Sequence, residues 1–205
     1  MRLSRPFFLL KLIYPGAVFR IRTEEKLLCL TFDDGPDPET TPAVLDILSA
    51  HDVKAVFFCL GHKAEIHHEL VSRIRSEGHI TGNHGYRHLD GWKTNTQVYV
   101  RNFERGAFFT SGLLLRPPYG RIRPRQFREL ARTYRIVFWD LMSWDFDGRL
   151  KGAKVLEILK SKIRPGSVIV LHDKASSSVL SFLDEFISHA LTEGYSFTSE
   201  LVQDK

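Results

Sequence analysis

Short apolar or β-branched runs recur along the chain, at 26–32 (KLLCLTF), 54–60 (KAVFFCL), 79–83 (HITGN), 113–116 (LLLR), 136–141 (IVFWDL), 167–172 (SVIVLH) and 195–198 (YSFT). Runs of this length bounded by polar or turn-forming residues read as strands. Between them, apolar residues repeat at helical intervals. Thr40-Thr41-Pro42 opens one such stretch with Val44, Leu45 and Leu48 on a single face, and 65–77 repeats Ile66, Leu70 and Ile74 before Gly78 stops it. Further helices are predicted over 95–111, 124–134, 152–163 and 178–193. Strands alternating with helices imply parallel strands joined by crossovers. About seven strands in one unit predict an α/β fold, a distorted (β/α) barrel, with a doubly wound open sheet as the alternative.

Composition narrows this only a little. With 205 residues, 43% hydrophobic and 26% charged, the chain can bury one sizeable core, so a single domain over 26–205 is expected behind an N-terminal arm at 1–25. The net charge of +5 comes from dispersed basic residues rather than one tract, so nucleic acid is not an expected partner. Arg121, Arg123, Arg125, Arg128, Arg132 and Arg135 read as a solvated helix face. Cys29 and Cys59 fall in separate predicted strands and are expected as buried free thiols. In the arm, the run Phe7-Phe8-Leu9-Leu10-Lys11-Leu12-Ile13 is broken by Lys11 and stopped by Pro15, short of the roughly 20 residues of a spanning helix. It lacks the small-residue cleavage site of a signal peptide. The arm is expected to pack on the domain, with peripheral membrane contact as the alternative, and the location is expected to be cytoplasmic or peripheral to the membrane.

Polar residues of chemical interest collect where predicted strands end. Asp33-Asp34 follow the first strand, His84 and His88 the third, Arg116-Pro117-Pro118-Tyr119 the fourth, Asp140, Trp144 and Asp145 the fifth, and His172-Asp173 the sixth. In a barrel these ends share one face, where active sites assemble. Adjacent strand residues point to opposite faces, so Asp33 and Asp34 are expected to have different tasks, one holding a cation and one moving a proton. Two imidazoles four positions apart share a face on a helical turn, and with Asp34 they form a His/His/Asp set that leaves coordination positions open. Such a set suits a catalytic divalent ion. Zinc is the first expectation, with cobalt, nickel and iron as alternatives.

TFDDGPD at 31–37, the histidines at 84 and 88, Arg116-Pro117-Pro118-Tyr119, the segment around Trp144-Asp145 and Val170-Leu171-His172 together resemble the ordered motifs of the polysaccharide deacetylases, carbohydrate esterase family 4. The resemblance spans about residues 26–175 and implies a distorted (β/α) barrel that removes N-acetyl, or sometimes O-acetyl, groups from glycans such as peptidoglycan or chitooligosaccharides. It implies that Asp33 is the catalytic base, that Asp34, His84 and His88 bind the metal, and that His172 is the catalytic acid. It further implies that Arg116 steadies Asp33, that Asp145 tunes His172, that the Tyr119 backbone N–H holds the oxyanion, and that Pro118, Trp144 and Leu171 contact substrate.

The chain departs from the family pattern at three points. Gly85 stands where a hydroxyl residue usually follows the first histidine, Phe146 where tryptophan is common, and Val170 where leucine is usual. A lost hydrogen bond behind a ligand weakens a metal site by roughly ten- to a hundredfold. A glycan-binding barrel with little turnover is therefore one alternative, and a deacetylase acting on an O-acetyl ester or non-sugar amide is another. Trp92 and Tyr86 flank the histidine pair and are read either as sugar-stacking or as core residues. Phe108, Phe109, Phe182 and Phe186 are read as core, and His62, His67, His68 and His189 as exposed.

Overall fold

The computed structural model describes residues 4–6, 9–110 and 112–201. Arg2, Phe7 and Phe8 of the expected arm lie outside them, as does position 111 at the end of a predicted helix. Eight strands are present among the described residues: β1 (Leu27–Asp33), β2 (Val56–Cys59), β3 (Ile80–Asn83), β4 (Leu114–Leu115), β5 (Arg135–Ile136), β6 (Leu141–Met142), β7 (Val168–His172) and β8 (Ser196–Phe197). All pair in parallel, in the order β5-β4-β3-β2-β1-β7-β6, with β8 on Leu27 and Leu28 of β1. The helices are α1 (Leu10–Ile13), α2 (Thr40–Ala50), α3 (Gly61–Ile66), α4 (His68–Ser76), α5 (Thr96–Thr110), α6 (Pro124–Leu130), α7 (Gly152–Lys162) and α8 (Leu183–Thr192).

β1 explains the layering. Leu28, Leu30 and Phe32 join a core with Val44, Leu45 and Leu48 of α2 and Phe186 and Ile187 of α8. Their alternates, Cys29, Thr31 and Asp33, face the concave side of the sheet, and Cys29 packs there with Val56, Phe58, Val137 and Val168. Both faces of the strand are therefore buried, as its nearly unbroken apolar run requires. Both thiols are buried and free, and burial pushes the Cys29 thiol up to about 12.

The predicted strand at 136–141 is two short strands, β5 and β6, which are the two edges of the sheet. The intervening residues 137–140 form the seam of a curled half-barrel. The N-terminal arm closes this seam: Val18 bridges Val137, Arg20 bridges Ser167, and the Phe19 ring stacks on Phe138 at 4.8 Å. Tyr14 also stacks on Phe138, and its hydroxyl donates to the Ile122 carbonyl at 2.6 Å. Leu9, Leu12 and Ile13 of the arm remain exposed. No described helix is long and apolar enough to cross a membrane.

The seam also corrects the expected place of Asp140. It precedes β6 rather than ending a strand, and its carboxylate pairs with Arg164 and Ser167 at the start of β7, the end of the sheet opposite the candidate site. The predicted helix at 65–77 breaks at His67 into α3 and α4, and the stretch predicted over 178–193 is a short turn followed by α8. Phe182 and Phe186 are buried as expected, but Phe108 is 84% exposed. The inward face of α5 is set by Tyr99, Phe103, Gly106 and Thr110, and Phe108 projects away from it. His68 is exposed, whereas His62 is half-buried and bonded to the Tyr86 carbonyl.

Candidate active site

The strand ends converge on a cleft of about 330 Å³ lined by Asp33, Asp34, His84, His88, Arg116, Tyr119, Trp144 and His172. Asp145 lies immediately behind His172. Two expected substrate residues are not among those lining the cleft: Pro118 is buried in the turn between Pro117 and Tyr119, which do line it, and Leu171 packs into the core under the helices. Strand alternation gives the reason for Leu171. His172 faces the concave side, so Leu171 must face the other way, and Val170 shares the side of His172. A larger hollow of about 630 Å³ under the arm, lined by residues such as Lys11, Arg20 and Arg22, contains none of these groups.

Asp34 and the histidines form the tightest cluster, with one ligand atom from each residue lying within 4.8 Å of the others. The Nε2 atoms of His84 and His88 stand 3.6 and 3.2 Å from Asp34 Oδ1. That buried oxygen has no hydrogen-bond partner among the described residues. His84 Nδ1 lies 2.8 Å from the Arg116 carbonyl, which can only accept, so Nδ1 carries the proton and the Nε2 lone pair points at Asp34. Burial and then the neighbouring His84 push His88 down to about 4, against the pull of Asp34, so its ring is neutral near pH 7. Burial opposes ionisation of Asp34, yet His84, His172 and Lys174 outweigh it and hold the carboxyl well below its usual range. Two imidazole nitrogens and an ionised carboxylate gathered on one buried oxygen fit a divalent cation.

Asp33 ends β1 and Asp34 follows it at φ 77°, so the two carboxylates line the same cleft with different partners. Arg116, itself buried, donates from Nη1 to Asp33 Oδ1 at 2.8 Å and to Thr31 Oγ1 at 2.6 Å, and from Nη2 to the Phe138 carbonyl at 2.8 Å. Its guanidinium lies over the Phe58 ring at 4.2 Å. One Asp33 oxygen is thereby fixed and the other left for a ligand. Opposite, His172 Nδ1 meets Asp145 Oδ1 at 2.8 Å, and the His172 backbone N–H donates to Asp145 Oδ2 at 2.8 Å. The Ser143 hydroxyl adds a third bond to Asp145 at 2.7 Å. Burial alone would depress the imidazole, but Asp145, with help from Asp33 and Asp34, raises its pKa above the ordinary histidine value.

Several features were not readable from residue type. Lys174 reaches Asp34 Oδ2 at 2.6 Å, and Trp139 and Met142 line the cleft. Asp34, Tyr119 and Trp144 have φ of 77°, 60° and 68°, so three of the four described non-glycine residues with positive φ line the cleft. Such strained backbone is kept where geometry matters more than local stability. Gly85, at φ 84°, lacks the expected hydroxyl, but its N–H donates to Asn83 Oδ1 at 2.8 Å. Asn102 from α5 grips the same loop, accepting from the Arg87 N–H and donating to the Arg87 carbonyl, both at 2.8 Å.

Parallel strands curled into a half-barrel, with ionisable groups gathered at their C-terminal ends, define the class as a protein of the (β/α)-barrel kind with its polar cleft at the strand ends. Residues 20–139 match the polysaccharide deacetylase family model, and the chain belongs to that family, carbohydrate esterase family 4. A peptidoglycan-N-acetylglucosamine deacetylase of Bacillus cereus is 35% identical over 182 residues, covering 84% of this chain and 66% of that protein. Peptidoglycan-N-acetylmuramic acid deacetylase PdaA of Bacillus subtilis is 33% identical over 188 residues, covering 86% of this chain and 71% of its own length. Among solved structures, the Bc1960 peptidoglycan N-acetylglucosamine deacetylase matches with a TM-score of 0.82 at 33% identity, over 89% of this chain and 90% of that one. The chain thus spans just under two thirds of the first of these relatives.

Proposed function

We infer that this protein is a divalent-metal-dependent deacetylase that hydrolyses N-acetyl groups on GlcNAc-containing glycans, of the peptidoglycan or chitooligosaccharide kind. The observation that carries the reading is the meeting, in one cleft, of the Asp34/His84/His88 cluster with an Arg116-braced carboxylate and an Asp145-braced imidazole. Binding a glycan requires neither brace. Splitting an amide requires both, because water is a poor nucleophile and an amide anion a poor leaving group.

Asp34, His84 and His88 would hold a divalent cation, zinc in the first instance, which would lower the pKa of water and polarise an acetyl carbonyl. The free oxygen of Asp33 takes the proton of the attacking water while Arg116 keeps the carboxylate in place. The Tyr119 backbone N–H, presented by the left-handed turn, is assigned to the oxyanion that forms at the carbonyl. Protonated His172 delivers its Nε2 proton to the sugar nitrogen as the C–N bond breaks, leaving acetate and the free amine. Trp144 and Phe146 form the aromatic wall on the His172 side, the Phe146 ring lying 4.8 Å from the imidazole.

Acetate release from N-acetylglucosamine oligomers tests this reading, measured with and without chelator on wild type and Asp33→Ala. Release that chelator and Asp33→Ala each abolish is expected. Chelator-resistant release, or full activity in Asp33→Ala with loss in Asp34→Ala, would overturn the mechanism, and no release from any acetylated glycan would overturn the reading.

A further inference from the structure

We propose that Trp92, outside the reacting centre, is an outer subsite that stacks on the apolar face of a neighbouring pyranose ring, so that the protein recognises its glycan as a chain of several sugars. The proposal rests on the deacetylase reading for the identity of the ligand and on the following geometry for its place.

Trp92 is 57% exposed, the most exposed tryptophan of the chain. An exposed indole commonly sits on a loose loop, but this one stands on a closely pinned turn. Its backbone N–H donates to Asp90 Oδ1 at 2.9 Å, and its carbonyl accepts from the Arg123 guanidinium. Gln126 Nε2, buried, donates to the Gly91 and Thr94 carbonyls at 3.0 and 3.1 Å. Gly91 is required here, because a Cβ at that position would lie 2.2 Å from the Arg121 carbonyl oxygen. The indole makes none of these bonds. The turn is built without it and presents it to solvent, which is the arrangement of a preorganised contact.

The indole is also continuous with the cleft. Arg121 lies over the Trp92 ring at 5.1 Å and the Tyr119 ring at 5.7 Å, and its Nη1 donates to Asp90 Oδ2 at 2.6 Å. Tyr119 in turn packs edge-on to the ligand histidine His88 at 4.3 Å. One guanidinium, held by Asp90, thus bridges the aromatic residue beside the candidate metal cluster to the aromatic residue at the rim. A strip of this kind suits a polymer of rings with apolar faces and polar edges, and gives a compact acetylated monomer nothing to hold at its outer end.

The test compares Trp92→Ala and Trp92→Phe with wild type on chitobiose and chitopentaose. Expected for Trp92→Ala is a KM for chitopentaose raised about tenfold, the size of one lost anchor contact, with kcat little changed. On chitobiose kcat/KM is expected to be little changed, and Trp92→Phe is expected to restore most of the chitopentaose KM. Equal effects on both glycans, a fall in kcat alone, or no effect would overturn the subsite. Calorimetric binding of chitopentaose in the presence of chelator separates the two readings. Should wild type release no acetate, weaker binding by Trp92→Ala supports the subsite while the deacetylase reading fails. Unchanged binding, or no binding by wild type, overturns the subsite.

Discussion

Restoring the family's usual serine at position 85 is expected to damage this protein. Consensus substitutions ordinarily stabilise. Here, however, a Cβ at Gly85 would lie 2.4 Å from Asn102 Nδ2 and 3.0 Å from the Arg87 carbonyl oxygen, and φ is 84°. A non-glycine residue at that φ costs about 1 kcal/mol. Moving Asn102 aside breaks its two hydrogen bonds to Arg87, about 1 kcal/mol each. The sum, about 3 kcal/mol, falls on the loop that carries His84 and His88. Gly85→Ser is therefore expected to weaken zinc binding by up to about a hundredfold in a chelator-competition titration, and to lower the melting temperature of the metal-free protein by several degrees. Asn102→Ala alone removes the two bonds, about 2 kcal/mol. In Gly85→Ser/Asn102→Ala the clash is gone and the two bonds are lost only once, so the double variant should be better than the sum of the singles by about 2 kcal/mol. A Gly85→Ser protein with wild-type zinc affinity and melting temperature, or a strictly additive cycle, would refute the idea that Asn102 fills the space a side chain at position 85 would need.

Asp145→Asn removes the charge that raises the His172 pKa, so the alkaline limb of the kcat/KM profile should move to lower pH; an unmoved limb would take His172 out of the acid role. The same raised pKa adds stability that is fully present below the unfolded histidine value and lost as pH rises through the folded one, so Asp145→Asn should lose more stability at pH 5 than at pH 9 in urea melts. Phe19→Ala should cost about 3–4 kcal/mol in denaturant unfolding, because the buried ring stacks on Phe138 at the seam; a loss below 1 kcal/mol would show that the arm does not close the barrel. Lys174→Met removes an ammonium 2.6 Å from Asp34 Oδ2 and should tighten zinc binding several-fold by relieving charge repulsion, while weaker binding would mean that Lys174 orients the carboxylate.

What the sequence made legible was whatever depends on period and spacing. The apolar run into Asp33-Asp34 makes different surroundings for the two carboxylates legible, and the structure places one against Arg116 and the other between the histidines, although Asp34 lies past the end of β1 at φ 77° and both line the same cleft. The same rule, carried to its end, removes Leu171 from the cleft, because it neighbours an inward-facing His172. The seam was illegible for a different reason. Residues 136–141 have the composition of a strand, and only the closure of the whole sheet divides them into two edges. Asp140 was misplaced with them, since its surroundings come from Arg164 and Ser167, distant in sequence. Positive φ at Asp34, Tyr119 and Trp144 leaves no mark in residue type, unlike glycine, and neither does the choice of Asn102 to brace a loop fifteen positions away.

Arg116 connects these parts into one unit. Its guanidinium fixes Asp33, and its backbone carbonyl fixes the proton on His84, so the carboxylate assigned to the base and a candidate metal ligand are oriented by a single buried residue of the loop after β4. Asp33 and His172 are direct neighbours in the β1/β7 register, so their separation is set by strand pairing and not by loop conformation. The candidate ligand histidines, by contrast, hang on the loop after β3, held by Asn83 and Asn102. The groups assigned to proton transfer therefore belong to the rigid sheet, and two of the three candidate metal ligands to a braced loop. Substitutions in that loop should lower metal affinity while leaving the geometry of the Asp33 and His172 pair intact, whereas loss of the Arg116 side chain should disturb both at once and leave a buried, unpaired Asp33.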